Sequence, residues 1–182
     1  MDTGADEILA VREMTPDDVG VRIDYFHSAS DDFLEMLGVD RARLPSRDEW
    51  HREFEADYGL PAAERKHFGL MWLIDAQIVG FGTFDKIRFG EEARMHLHVI
   101  EPLERKRGLG MQFVQQSVPV FFETFRLTRL YCEPNALNVA PNRTLQAAGF
   151  RYESSHFGTP GPINFPQVTT RWMQQVEMHQ AE

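Results

Sequence analysis

The chain has 182 residues, and its 28 acidic and 19 basic side chains give a formal net charge of −9 at pH 7. That length suits one folded domain, and the net negative charge argues against a nucleic-acid-binding face, which would need clustered basic residues. The acidic residues 1–7 lack the features of a signal peptide, no apolar run approaches membrane-spanning length, and the single cysteine, Cys132, cannot form an internal disulfide. We therefore expect a single cytoplasmic domain over residues 1–182 with no membrane partner.

The first predicted elements are a strand over residues 8–12 and a helix that begins at residues 15–18. The sequence Thr-Pro-Asp-Asp at 15–18 provides a capping residue, a proline and acidic residues for the first turn. A short helix and a loop are expected over residues 31–45. Residues 46–49, Ser-Arg-Asp-Glu, have the form of a capping box, which predicts a helix to about Tyr58.

A sheet is predicted next. Two apolar runs over residues 68–74 and 78–84 predict an antiparallel hairpin, and a third run over residues 93–100 extends it. The helix that follows has apolar residues on one face at helical spacing, and Pro119 is expected to kink or interrupt it. The residues of that face are Met111, Val114, Val118, Phe121, Phe122 and Phe125.

Three further strands are predicted over residues 127–133, 150–154 and 168–174. Residues 156–166 are rich in glycine and proline, which predicts an extended surface loop. The predicted fold class is α+β, with a mixed, mostly antiparallel central sheet flanked by helices on both faces.

The most informative segment is residues 105–110, Arg-Lys-Arg-Gly-Leu-Gly, between a predicted strand and a predicted helix. The start of a helix leaves backbone N–H groups unpaired and has partial positive charge, so a basic glycine loop there predicts a phosphate site. The glycine spacing fits neither a P-loop nor a dinucleotide fingerprint. The segment therefore points to another kind of phosphorylated cofactor.

A second motif narrows this prediction. It contains Asn138 and ends with Gly149 and Phe150 after a predicted helix. In this order and separation, the two motifs resemble those of the GNAT superfamily of acyl-CoA-dependent N-acyltransferases. The resemblance covers residues 92–153 and is strongest to the branches that contain siderophore-biosynthesis lysine N-acyltransferases and ribosomal-protein N-terminal acetyltransferases.

The resemblance implies splayed central strands that form a cleft for acetyl-CoA or another acyl-CoA. It also implies transfer of an acetyl group to a primary amine or hydroxylamine by direct attack in a ternary complex, with no metal. The pyrophosphate would bind the glycine loop, the pantetheine arm would pair with the strand before it, and Asn138 would bind from the other side. The implied cofactor-binding residues are His98, Val99, Ile100, Arg105, Lys106, Arg107, Gly108, Leu109, Gly110, Asn138 and Asn142.

Four residues are candidates for catalysis. Lysine-like amines have pKa values of about 10.4, so a base must remove a proton before attack. His96 and His98 alternate onto one face of their predicted strand, and His96 matches the histidine of the siderophore branch. That branch pairs its histidine with an aspartate where this chain has Asn135, and an amide stabilises imidazole charge less well. Glu133 is the alternative partner.

Several alternatives stay open. The two histidines suggest a metal site, but no motif places a third ligand. Leu145 stands where many GNAT enzymes have the tyrosine that protonates the departing thiolate, so the proton donor is unassigned. Because Leu145 replaces the tyrosine and Asn135 replaces the aspartate, the chain could instead be an acyl-CoA-binding sensor without turnover. A third hypothesis is a dimeric scaffold that binds no cofactor.

The acceptor is expected to be a small-molecule amine, with a protein N-terminus as the alternative, and a homodimer is left open. The acidic net charge is a weak indication of a cationic amine. One or two of five aromatic residues are expected to line the acceptor pocket, while the others belong to the core. These five are Trp50, Tyr58, Trp72, Phe84 and Trp172.

Overall fold

The structure is a computed structural model that describes residues 7–100 and 108–175. The strands are β1 (Leu9–Glu13), β2 (Phe68–Ile74), β3 (Gln77–Arg88), β4 (Glu92–Val99), β5 (Arg129–Cys132), β6 (Arg151–Gly158) and β7 (Gln167–Gln175). The α-helices are α1 (Val19–His27), α2 (Asp31–Leu37), α3 (Arg47–Asp57), α4 (Leu109–Phe125) and α5 (Val139–Ala147). Single 3₁₀ turns precede α1 and follow α2.

The strands form one seven-stranded sheet in the order β1-β2-β3-β4-β5-β7-β6. Neighbouring strands are antiparallel except for β4 and β5, which are parallel. The predicted mixed, mostly antiparallel sheet is confirmed. A single parallel pair requires a crossover between β4 and β5, and α4 provides it.

The sheet separates two apolar cores, because successive side chains of a strand point to opposite faces. On one face Trp72 stacks on Phe113 of α4, with ring centroids 5.2 Å apart. On the other face Met71 packs in a cluster that includes Ile23 of α1 and Trp50 of α3. Every residue of β2 is buried, as expected for a strand covered on both sides.

The helix starts predicted from capping residues are confirmed. Ser46 Oγ accepts a hydrogen bond from the Glu49 N–H at 3.3 Å, and a Glu49 carboxylate oxygen accepts one from the Ser46 N–H at 2.8 Å. At residues 15–18 the chain first makes a 3₁₀ turn and then enters α1. Each capping box satisfies backbone N–H groups that a helix leaves unpaired.

Two predictions about the second half of the chain are corrected by the structure. Of the kink or interruption expected at Pro119, the interruption does not occur, because helix α4 continues through this residue. Pro119 is exposed, so the carbonyl that loses its N–H partner can bind water. Strand β6 extends to Gly158, because its pairing with β7 continues to Gly158↔Gln167, so the loop covers residues 159–166 and not 156–166. No α-helix of the described residues is long and apolar enough to cross a bilayer.

Candidate active site

A cavity opens where β4 and β5 separate. Their pairing covers Glu92 to Met95 on β4 and ends at Cys132 on β5, while β4 continues to Val99. The cavity next to this separation has a volume of about 300 Å³. The predicted site residues that line it are His96, His98, Glu133, Asn135 and Asn138. The predicted cleft between splayed strands is therefore present.

His96 lies in a polar cluster at the cavity wall. Its Nε2 is 3.1 Å from Oδ1 of Asp85, and its side chain is 36% exposed. Asp85 in turn accepts two hydrogen bonds from Arg94, at 2.7 Å from Nε and at 2.5 Å from an Nη atom. The β3–β4 ladder explains the contact, because Asp85 pairs with Arg94 and His96 follows two residues later on the same face.

The surroundings keep the Asp85 carboxylate ionised. Burial acts to raise the pKa of Asp85, but the His96 imidazole and the Arg94 guanidinium outweigh it and hold the pKa far below its usual value. Arg94 is only 2% exposed and donates another hydrogen bond to Pro160 O at 2.6 Å. The fixed carboxylate can therefore orient the His96 ring.

Glu133 and Asn135, the two predicted partners of His96, make other contacts. The Glu133 carboxylate lies 3.5 Å from Arg94 and 3.5 Å from Arg171, so it balances the charge of two arginines. The Asn135 side-chain oxygen accepts a hydrogen bond from the Leu137 N–H at 2.9 Å. The described contact of His96 is with Asp85 instead.

The β4 end expected to hold the pantetheine arm borders the cavity. The His98 ring packs against three aromatic rings, with centroids 4.8 Å from Phe81, 5.0 Å from Tyr25 and 5.3 Å from Phe26. Val99 pairs with Gly80, and the Ile100 N–H donates to Val79 O at 2.8 Å. The ring contacts and the backbone pairing with β3 together fix the position of the β4 backbone at the cavity edge.

The glycine loop is described only in part. Arg105, Lys106 and Arg107 lie outside the described residues, whereas Gly108 precedes α4 with φ of 73°, a left-handed conformation that favours glycine. Leu109 is buried as the first residue of α4. At Gly110 an added Cβ would lie 3.5 Å from Thr144 of α5, which is ordinary contact, so the spacing of the two helices does not require glycine at this position.

Asn138 and Asn142 differ in their surroundings. Asn138 is the N-cap residue of α5, is 7% exposed and lines the cavity. The Asn142 amide nitrogen donates to two backbone oxygens, at 2.7 Å for Asn138, and its oxygen accepts from Thr170 and from Trp172 at 2.8 Å. Asn142 thus connects α5 to β7, and a cofactor contact would have to replace one of these bonds.

Two of the five candidate aromatic residues line the cavity, Trp50 and Phe84. The Trp72 ring lies in the core and donates to Ser117 Oγ at 3.0 Å, while Tyr58 and Trp172 do not line the cavity. Among the described residues, no group of three or more His, Cys, Asp and Glu side chains is arranged to hold a metal ion.

Leu145 and Cys132 offer no alternative chemistry. Leu145 is fully buried in the core. Cys132 is buried, and burial raises the pKa of its thiol to about 12. A thiol with that pKa is not a nucleophile at neutral pH.

Sequence reasoning missed Asp85 and Arg94, which line the cavity together with residues 160–164 of the loop. A signal for both was present. Extending the β3–β4 hairpin register from the apolar runs would have placed Asp85 opposite Arg94 and beside His96. The loop's contact with Arg94 had no comparable signal, since it joins residues 66 positions apart.

A cleft at splayed strands, a glycine loop before a helix and a histidine at the cavity wall together define an acyl-CoA-dependent acyltransferase fold. A sequence profile of the acetyltransferase (GNAT) domain matches residues 9–151. The chain therefore belongs to the GNAT acetyltransferase family, and the family, fold and reaction class predicted from the sequence are confirmed.

Solved structures with similar folds include the following acetyltransferases. Spermidine N-acetyltransferase from Vibrio cholerae, in complex with CoA and spermine, matches with a TM-score of 0.72 at 13% identity over 92% of this chain and 95% of that one. The ribosomal L7/L12 N-acetyltransferase RimL, in complex with CoA, matches with 0.73 at 12% identity over 94% and 95%. The aminoglycoside acetyltransferase AAC(6')-Ib, in complex with CoA and kanamycin, matches with 0.69 at 15% identity over 93% and 95%. No curated protein sequence matches the chain significantly.

Proposed function

We propose that this N-acyltransferase uses His96, supported by Asp85, to accept the proton of a primary amine or hydroxylamine that attacks acetyl-CoA directly. The observation that supports the proposal most strongly is the 3.1 Å contact between His96 Nε2 and Asp85 Oδ1 at the wall of the cavity. His98 lies two residues away on the same face, where its ring packs against the Tyr25 and Phe81 rings. The described contact with the Asp85 carboxylate favours His96 as the proton acceptor.

The proposed reaction is one displacement in a ternary complex. His96 takes a proton from the ammonium group, and the neutral amine nitrogen then attacks the thioester carbonyl carbon to form a tetrahedral intermediate. The carbon–sulfur bond breaks, the nitrogen loses its second proton to solvent, and CoA leaves as a thiolate that solvent protonates. Asp85 stabilises the imidazolium that results, as a buried carboxylate does in other histidine-dependent acyl transfers. The buried, weakly acidic Cys132 thiol argues against an acyl-enzyme intermediate.

The cofactor would bind across the end of β4 and the start of α4. Backbone N–H groups at the start of a helix bind pyrophosphate oxygens, and the left-handed Gly108 turns the chain into α4. The proposed acceptor is a small amine that enters the cavity between α1, α3 and the loop over residues 159–166. The single-domain extent over residues 1–182, the cytoplasmic location and the homodimer stay predictions.

The test is release of CoA from acetyl-CoA in the presence of an amine panel, for wild type and His96→Gln. Glutamine keeps much of the volume of histidine but cannot accept a proton at neutral pH. We expect kcat to fall by about 10²- to 10³-fold with the dissociation constant for CoA unchanged, because general-base catalysis contributes about that much.

The matched control is His51→Gln on α3, which does not line the cavity and should keep wild-type turnover. Equal turnover by His96→Gln and His51→Gln would contradict the role of His96. Tight CoA binding by wild type without turnover on any amine would contradict the enzymatic proposal and favour an acyl-CoA sensor.

A further inference from the structure

Arg22 of α1 is a cation at the cavity wall that has no carboxylate partner among the described residues. Five of the described arginines are buried or half-buried. Four of these have a carboxylate oxygen within 4.0 Å: Arg65, Arg94, Arg129 and Arg171. Arg22 is the fifth, and within residues 7–100 and 108–175 its guanidinium makes neither an ion pair nor a hydrogen bond.

The surroundings of Arg22 leave its donors available. The guanidinium carbon lies 5.2 Å from the centroid of the Trp50 ring, which fixes the group by a cation–π contact but uses none of its N–H groups. Burial lowers the pKa of Arg22, and the more distant Asp85 and Glu53 carboxylates only partly offset this. The half-buried guanidinium makes no hydrogen bond among the described residues, so its N–H groups can bind an anion in the cavity.

Arg22 and the proposed proton acceptor face the same space. Arg22 lines the cavity together with Phe26, one helical turn later on α1, and with His96 of β4. Asp85 is already bound by Arg94 and His96, so it does not neutralise Arg22. The planar fork of an arginine matches the two oxygens of a carboxylate.

We propose that Arg22 binds a carboxylate of the acceptor, so that the substrate is a small amino acid whose amine is acylated at His96. This inference rests on the proposed N-acyltransferase function and adds the chemical class of the acceptor. The net negative charge of the chain weakly indicated an acceptor with positive charge only. The proposed acceptor also has a carboxylate, and Arg22 would repel the second positive charge of a diamine. A cavity of about 300 Å³ also favours a compact acceptor.

The test measures kcat/KM for CoA release with matched acceptors. Glycine, β-alanine, γ-aminobutyrate and δ-aminovalerate are each compared with the primary amide, and δ-aminovalerate is also compared with the diamine of equal length. We expect wild type to prefer at least one acid over its amide by about 10- to 100-fold, as for a hydrogen-bonded ion pair, and to use the diamine least.

In Arg22→Gln the preference for the acid should disappear through a higher KM for the acids. Arg22→Lys should keep part of the preference, because it keeps the charge but loses the fork. Arg52→Gln is the matched control, since Arg52 is exposed on α3 and does not line the cavity. Thermal unfolding of each variant confirms that it is folded.

The outcomes separate the two proposals. Three results would overturn the role of Arg22 and leave the enzymatic proposal intact. They are equal kcat/KM for acids and amides, turnover confined to neutral amines or diamines, and an acid preference that persists in Arg22→Gln. Absence of turnover on every acid, amide and diamine would contradict the proposed function itself.

Discussion

Gly80 of β3 controls how closely β3 and β4 approach at the proposed cofactor cleft. It pairs with Val99, and a Cβ added at Gly80 would lie 2.6 Å from the His98 carbonyl oxygen and 2.9 Å from Cε3 of Trp72. The first distance is about 0.8 Å shorter than the 3.4 Å at which ordinary contact begins. Substitution by alanine therefore requires a neighbour to move.

The neighbour that moves is expected to be β4. The Trp72 ring is fully buried, is stacked on Phe113 and donates to Ser117 Oγ at 3.0 Å, so its position is fixed from both sides. Overpacking of this kind costs about 1–3 kcal/mol. We expect Gly80→Ala to lower the free energy of unfolding by that amount and to displace the β4 backbone around His98.

Gly82→Ala is the matched control two residues along the same strand. Its Cβ would lie 3.5 Å from Trp72 and 3.6 Å from the His96 carbonyl oxygen, which is ordinary contact. An alanine without strain restricts the unfolded chain, so the variant should have unchanged stability or gain up to about 1 kcal/mol. Both substitutions replace a glycine of β3 with alanine, and they differ only in the space available to the added methyl group.

Urea denaturation and calorimetric titration with CoA check the prediction. Because the backbone of residues 98–100 is expected to hold the pantetheine arm, Gly80→Ala should raise the dissociation constant for CoA by about tenfold, which corresponds to about 1.4 kcal/mol. Gly82→Ala should leave it unchanged. Equal stability and equal CoA affinity of the two variants would refute both the steric argument and the proposed position of the arm.

Two further predictions concern ionisable groups. Arg12 donates hydrogen bonds of 2.6 and 2.8 Å to Asp18 and lowers the pKa of that carboxyl from 3.8 to about 2. Because the folded-state pKa is the lower one, the ion pair stabilises the protein above about pH 4, and this stabilisation disappears as the pH falls through about 2. In urea denaturation at pH 7, Asp18→Asn should lower the free energy of unfolding by about 1–2 kcal/mol. The difference in stability between the variant and wild type should shrink between about pH 4 and pH 2. Cys132, whose pKa burial raises to about 12, should not react with a disulfide reagent at pH 8 until the protein is unfolded, and rapid reaction of native protein would contradict its burial.

Local signals in the sequence were sufficient for most elements. The capping box at Ser46 and Glu49 predicted the start of α3, because its hydrogen bonds involve only residues within one turn. Pro119 shows the limit of local rules. The missing N–H bond predicts a kink or an interruption, but packing of the buried face of α4 against the sheet keeps the helix uninterrupted.

The candidate site was only partly predictable. His96 was found because strand alternation and the position of the glycine loop are properties of a short segment. Its partner was sought at Asn135, whereas Asp85 makes the contact, because cross-strand register decides which side chains meet. Arg22 had no sequence signal, since an arginine on an amphipathic helix is normally solvated.

The sequence by itself determined the succession of strands and helices along the chain, the glycine that precedes α4 and the family to which the chain belongs. These depend on periodicity, capping and motif spacing, which are properties of short segments. Only the tertiary structure decided that Asp85 and Arg94 support His96 and that Arg22 faces the same cavity with no carboxylate partner in the part of the chain that the structure describes. Such contacts join residues far apart along the chain, and they form only when strand register and helix packing bring those residues together.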